Sequence, residues 1–357
     1  MKLKFYGTRG SIPVCDPGFQ QFGGNTTCFQ ITAADSNRIA IIDAGTGLRN
    51  LGRDLRAIGH HQNQIFIGFS HFHWDHIQGF PFFAPAYNPE QKITIVTLGR
   101  GQTIGSLREI FEVPMQTQYF PVQLDRMGAQ FEFLKIEDAS KHFSHADTAD
   151  TIVTGQRHNH PGGAYGFRFE REGKVLVICT DVEHGEEIDP KVVELSRGAD
   201  LLVHDAQYTA EELETHRGWG HSSFDQAMQV AEMAGVKHLA MTHHDPEHDD
   251  EFLLRMEKLC QERFPNTHFA REGMEIVLEE AAVQTSDSAQ VVGLTPAKRT
   301  YLLASIPVKK PGQRRPRKKE AAIDYFNLRR AARRRFCAKS KETTGATLSL
   351  PPLSRKE

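Results

Sequence analysis

The stretch His71-Phe72-His73-Trp74-Asp75-His76 places three imidazoles and a carboxylate within six residues. Neutral imidazoles and carboxylates are the donors that suit zinc and the neighbouring first-row metals. Buried without a cation, such a cluster would carry a heavy desolvation cost. His71 and His73 can point toward one ion while Asp75 and His76 point toward another. The apolar run Ile65-Phe66-Ile67-Gly68-Phe69 precedes the cluster, which puts it at the end of a buried strand and not on a solvated loop.

Four more apolar runs end in residues of the same chemical kind: IAII at Asp43, VLVICT at Asp181, LLVH at Asp205 and LAMT at His243. Side chains at one end of neighbouring strands converge, and α/β folds build their sites there. Helical spacing recurs between the strands, over Gly47–Ile58, Ile104–Glu112, Phe224–Ala234 and Asp250–Phe264. Ser222 or Ser223 is placed to cap the third of these, with Gly235 just past its end. The alternation predicts an α/β chain with mixed sheets covered by helices.

These residues resemble the metallo-β-lactamase superfamily, whose signature is HxHxDH after a strand, and the resemblance runs over roughly residues 1 to 280. Asp43 in IIDAGTG matches an aspartate that supports the metal loop from behind. His160 in HPGGAYGF, Asp181 in ICTD and His243 in MTHHDP match the remaining ligand positions. The resemblance implies an αββα sandwich. It also implies two divalent ions, one on His71, His73 and His160, the other on Asp75, His76 and His243, with Asp181 between them. Zinc is the first candidate and manganese suits the same donors. Motif spacing favours His160 over His158 and His243 over His244, while His60, His61, His142, His145, His216 and His268 match nothing.

The fold alone names no reaction. The stretch from Leu201 to Pro246 is similar to ribonuclease Z and its relatives, in which an acidic residue after a strand pairs with a histidine in a GHS turn. Asp205 and His221 occupy those positions. A carboxylate that holds an imidazole in one tautomer and favours its protonated form makes a general acid. The expected reaction is phosphodiester hydrolysis by metal-activated hydroxide, with His221 protonating the leaving oxygen, Asp205 supporting it and Asp75 positioning an ion. HHDPEHDD adds acids where ribonuclease Z tends to carry a basic residue. FFAPAYNP, GTRGSIP and FGGNTTC look like the small-substrate branch, so the expected substrate is a small cyclic or nucleotide-type phosphodiester. Arg9 is a candidate phosphate contact. The alternatives are ribonuclease Z-type cleavage of tRNA precursors and hydrolysis of a carboxyl ester or lactone.

Composition sets the remaining bounds. The net charge of -2 over 357 residues conceals an asymmetry. Residues 298–357 hold 18 Lys+Arg against 4 Asp+Glu, a balance of +14, which leaves 25 against 41, or -16, for residues 1–297. The expected organisation is a hydrolase domain over 1–282 and a basic, mostly disordered extension over 283–357, with a short basic helix at 323–336. An anionic partner such as nucleic acid is one role for that tail, alongside a solvated linker or a fold-back onto the acidic body. Five cysteines without CxxC spacing point to reduced thiols. No apolar run approaches the ~20 residues that span a bilayer, and the opening residues lack a secretory core, so a cytoplasmic protein is expected. A homodimer is the expected assembly by resemblance.

Overall fold

In the strand Arg38–Ile42, Ile39 and Ile41 face one side and Ala40 and Ile42 the other, and hydrophobic neighbours cover both sides. Such a two-faced apolar strand is the mark of a parallel sheet held between layers. The computed structural model describes residues 1–33, 37–59, 64–99, 107–136 and 151–278. The tail beyond 278, with the helix and the anionic partner expected of it, lies outside the described residues. The boundary expected after 282 likewise lies outside the described residues.

The first sheet begins with β1 (Lys2–Gly7), β2 (Cys28–Thr32), β3 (Arg38–Ile42), β4 (Gln64–Phe69), β5 (Lys92–Leu98) and β6 (Gln130–Ile136). The second contains β7 (Ile152–His158), β8 (Ala164–Arg171), β9 (Lys174–Cys179), β10 (Leu201–Asp205), β11 (His238–Thr242) and β12 (Thr267–Phe269). β13 (Glu275–Val277) returns to the outer edge of the first, pairing antiparallel with β1. Among the described residues the orders are β13-β1-β2-β3-β4-β5-β6 and β12-β11-β10-β9-β8-β7. β3 to β6 are mutually parallel, as are β9 to β12.

Helices cover the two outer faces. α1 (Gly47–Ala57), α2 (Trp74–Ile77) and α3 (Leu107–Glu112) belong to the first half, and α4 (Pro190–Ser196), α5 (Ala210–Thr215), α6 (Phe224–Ala234) and α7 (Asp250–Arg263) to the second. Leu48, Leu51 and Leu55 of α1 pack on Ile39, Ile41, Ile65 and Ile67. Ala227, Val230 and Ala231 of α6 share a cluster with Val177, Cys179 and Leu202. Between the sheets, Phe5, Phe29 and Ile42 meet Phe167, Ile178 and Val203. The layers are therefore αββα, as expected.

Ser223, not Ser222, caps α6: its hydroxyl accepts from the Gln226 amide, Gln226 reciprocates, and Gly235 takes a left-handed φ of 66° at the far end. Such a cap contributes about 1 kcal/mol. The cap also fixes the chain immediately after His221, tying helix formation to the position of a site residue.

Candidate metal centre

The parallel strands β3, β4, β9, β10 and β11 all deliver their C-terminal residues to one end of the sandwich. Three of the residues at these ends depart from extended backbone: Asp43 (φ 62°), Asp181 (φ 56°) and His243 (φ 62°) are left-handed. For residues with a Cβ this conformation costs on the order of 1 kcal/mol or more, and it is retained where surrounding structure enforces it. Here it turns the chain sharply at the end of a strand, next to the cluster.

Two groups of potential ligands result, His71 with His73 and His160, and Asp75 with His76, Asp181 and His243. Nδ1 of His73 stands 3.0 Å from Nε2 of His160, and Nε2 of His71 is 3.6 Å from Oδ2 of Asp181. Nε2 of His76 is 3.3 Å from both Asp75 Oδ2 and Asp181 Oδ1. Nε2 of His243 is 3.2 Å from Asp75 Oδ2 and 3.4 Å from Asp181 Oδ2. Tetrahedral donors at metal-bond length lie about 3.3–3.5 Å from one another, so these spacings fit the edges of coordination polyhedra. His71 Nε2, His76 Nε2 and Asp181 Oδ1 are buried and make no hydrogen bond, a cost that a divalent ion removes.

Hydrogen bonds behind the ligands set which nitrogen faces inward. The Asp43 carboxylate accepts from the Ser70 amide (2.8 Å), the Ser70 hydroxyl (2.8 Å) and His76 Nδ1 (2.9 Å). His160 Nδ1 donates to the Gly220 carbonyl at 2.8 Å, and His243 Nδ1 to Gln207 Oε1 at 3.0 Å. Ser70 Oγ lies 3.1 Å from His71 Nδ1. The Ser11 amide donates to Asp75 Oδ2 at 2.9 Å, which brings the N-terminal loop into the site. Gly10 permits that approach, since a Cβ there would stand 2.3 Å from Nδ1 of His243.

Burial, and secondarily the neighbouring His76, holds His71 well below the usual imidazole pKa, and burial lowers His160 as well. Both rings are thus neutral and available as donors. Burial alone would raise Asp75, but His76 and His243 override it and keep this carboxylate far below its ordinary range. Against burial, Asp181 and Asp75 push His76 up and His243 up to about 9, so these two rings hold protons that a bound cation would displace.

Beside the ligands, His221 Nδ1 lies 2.8 Å from Asp205 Oδ2. Asp205 also accepts from the amides of Val182, Gln207 and Ser222. The His221 ring stacks on His243 at 4.7 Å between centroids. A nitrogen of His221 comes within 4.8 Å of donor atoms of His160 and Asp181.

The geometry brings together His71, His73, Asp75, His76, His160, Asp181, His243, Asp43, Asp205 and His221. It does not place Arg9 for the phosphate contact expected of it. Arg9 is 0% exposed, and its guanidinium donates to the carbonyls of Gly23, Asp245 and His248. Those carbonyls belong to loops that this buried side chain helps to hold together, alongside the Asp250 carboxylate, which accepts from the amides of Gln21 and Phe22. His244 donates to the Ala270 carbonyl and stacks on Phe269, while His158 is in neither ligand group.

Sequence reading missed Glu183, Gln207, Ser70 and Ser11. Glu183 accepts from the amides of Gly218 and Gly220, each at 2.7 Å, and so braces the turn before His221. Its one sequence signal, like that of Gln207, is a polar residue two positions beyond a strand-ending aspartate.

Residues 38–244 match the family described as beta-lactamase superfamily domain, more than half of the 357 residues. A ribonuclease Z of Trichodesmium erythraeum (strain IMS101) is 42% identical over 101 residues, 28% of this chain and 30% of that one. Such short matches leave about two thirds of those relatives' length uncovered. A ribonuclease Z of Synechococcus sp. (strain CC9311) is 23% identical over 335 residues, covering 77% of this chain and 98% of the relative. The structure of human tRNase Z, short form, aligns with a TM-score of 0.53 at 18% identity, over 78% of this chain and all of that one, a likeness of fold. Among the described residues no helix is long and apolar enough to cross a membrane.

Proposed function

The chain belongs to the beta-lactamase superfamily and is a metal-dependent hydrolase, and on that premise we propose that it hydrolyses phosphodiesters at a two-ion centre. The observation that carries this reading is the Asp205–His221 pair, 2.8 Å apart and stacked against the ligand His243. Carboxyl-ester and lactone hydrolysis also expels an alkoxide, so the pair supports a hydrolase that protonates an alkoxide leaving group, and the relatives named ribonuclease Z weigh for a phosphodiester.

His71, His73 and His160 would hold one ion and Asp75, His76 and His243 the other, with Asp181 shared. Bound divalent ions would supply Lewis acidity, polarising the phosphoryl group and making water a competent nucleophile near neutral pH; zinc suits the donors and manganese is compatible. Asp205 keeps Nδ1 of His221 protonated, so Nε2 is the nitrogen that exchanges a proton with the reacting group. Its proton passes to the departing oxygen. Asp75, anchored by the Ser11 amide, and Asp181 fix the carboxylate oxygens that orient the centre, and Asp43 holds His76 from behind.

The substrate in this reading is a small, nucleotide-type phosphodiester. Residues 1–297 carry 25 Lys+Arg against 41 Asp+Glu, and a net -16 opposes long polyanions. The ribonuclease Z relatives favour a second reading, cleavage of RNA precursors.

The test is turnover of bis(p-nitrophenyl) phosphate, whose phenolate leaves without a proton, and of uridine 2′,3′-cyclic phosphate, whose alkoxide needs one, by metal-loaded protein and by His221→Ala, with metal content measured in both. Loss of turnover of the cyclic diester with metal retained, and a far smaller effect on the nitrophenyl diester, upholds the reading. An inert, metal-loaded wild type sinks it. Uridine 2′,3′-cyclic phosphate against a tRNA precursor then separates the two substrate classes.

A further inference from the structure

The chain has two tryptophans, and both are exposed and close in sequence to residues of this site. Trp74 is 69% exposed and lies between His73 and Asp75 in the sequence; Trp219 is 62% exposed and lies two residues before His221. A single exposed aromatic needs no explanation. Two of the largest apolar side chains forgo burial at positions one and two residues from His73, Asp75 and His221.

Trp219 is also held in place without being covered. Its flanking glycines adopt φ of 89° (Gly218) and 96° (Gly220), making it the tip of a tight turn. Both oxygens of Glu183 accept from those glycines' amides at 2.7 Å, and the Gly220 carbonyl accepts from His160 Nδ1. The Trp219 amide donates to the His216 carbonyl at 3.1 Å. Its ring meets the His216 ring edge-on at 4.8 Å, and His216 stacks on Tyr208 at 4.6 Å, which in turn approaches His221 at 6.1 Å. A continuous series of ring contacts therefore runs from the exposed indole to the proposed proton donor. A side chain ordered in advance but left open loses little entropy when a flat partner covers it.

We propose that Trp219, assisted by Trp74, stacks on a flat heteroaromatic ring of the substrate, so that the site selects nucleobase-bearing phosphodiesters over those without a ring. This rests on the phosphodiesterase reading and names its substrate class. Stacking on an exposed indole discriminates by ring presence and not by base identity, because every base has a π-face.

The test uses the full-length, metal-loaded protein and has two arms. In calorimetry, adenosine 5′-monophosphate is expected to bind at least tenfold tighter than ribose 5-phosphate, a preference that Trp219→Ala abolishes, Trp219→Phe largely retains and Trp74→Ala reduces. In kinetics, Trp219→Ala is expected to raise KM about tenfold for uridine 2′,3′-cyclic phosphate but not for glycerol 1,2-cyclic phosphate, with kcat within twofold. Equal affinity of wild type for the two monophosphates overturns the proposal, as does a Trp219→Ala effect that is the same for both substrates. Should no diester be cleaved, the phosphodiesterase reading fails while the calorimetric arm still decides the role of the tryptophans.

Discussion

Nδ1 of His221 and Oδ2 of Asp205 face each other at 2.8 Å, and three backbone amides converge on the same carboxylate. A carboxylate so supplied with donors is fixed in orientation and fixes the imidazole with it. The pair joins the end of β10 to the turn before α6, two elements whose relative position is set by packing in the outer core.

Asp205→Asn preserves shape but removes the acceptor that keeps Nδ1 protonated. We expect kcat for uridine 2′,3′-cyclic phosphate, which expels an alkoxide, to fall by about 10²–10⁴, the range that a general acid contributes, with KM little changed, and kcat for bis(p-nitrophenyl) phosphate, which expels a stabilised phenolate, to change far less. Metal content measured alongside is expected to match wild type. A drop in kcat accompanied by metal loss would instead assign Asp205 to the metal centre.

Gly220→Ala tests the separateness of the two ligand groups. A Cβ at this position would lie 2.1 Å from Nδ1 of His160, in a backbone with φ of 96°. The substitution is expected to displace His160 and empty the His71, His73 and His160 group while sparing Asp75, His76 and His243. Elemental analysis should show stoichiometry falling from two ions per chain toward one. Unchanged stoichiometry would count against the assignment of His160.

Removal of metal should lower stability as well as activity, because it leaves His71 Nε2, His76 Nε2 and Asp181 Oδ1 buried without partners. For an ion at 100 times its dissociation constant, each site contributes about 2.7 kcal/mol through mass action. Chelator-treated protein is expected to unfold several degrees lower, with recovery on adding zinc or manganese. Equal melting temperatures with and without chelator would contradict the coupling.

Strand-end chemistry was the most legible part of this site in the sequence, because an apolar run followed by His or Asp is a local pattern. The same locality explains what was missed. β7 carries Thr154, Gly155, Gln156 and Arg157 in a row, and its two buried positions are Gly155 and His158, so it shows neither a clean alternation nor a continuous apolar run. Glu183 meets its partners 35 and 37 residues away, and Gln207 meets His243 at a separation of 36; no spacing rule reaches that far. Arg9 misled because a charged residue in a glycine-rich loop reads as exposed, while the fold buries it against three carbonyls.

The acid limit of stability is expected to come partly from a buried histidine pair behind the centre. The His184 and His204 rings stack at 5.5 Å. His184 Nδ1 accepts from the Asp189 amide at 3.2 Å, so its proton sits on Nε2; His204 Nδ1 donates to the Asp205 carbonyl at 2.6 Å. Burial, and then His204 and His158, push His184 down to about 3, and burial lowers His204 too, against the ordinary 6.5. The native protein keeps these rings neutral where the unfolded chain takes up protons. Their contribution is therefore complete well above pH 6.5 and declines as pH falls below it, toward 3 for His184, by up to about 1.4 kcal/mol per pH unit for each ring. Urea midpoints should drop between pH 7 and pH 5, above the range where carboxylates begin to protonate. In His184→Asn, whose Oδ1 can replace Nδ1 as acceptor for Asp189, the decline should be shallower. A wild-type midpoint that stays level over that interval, or a variant with the same slope, would show that protonation of this pair does not limit the fold.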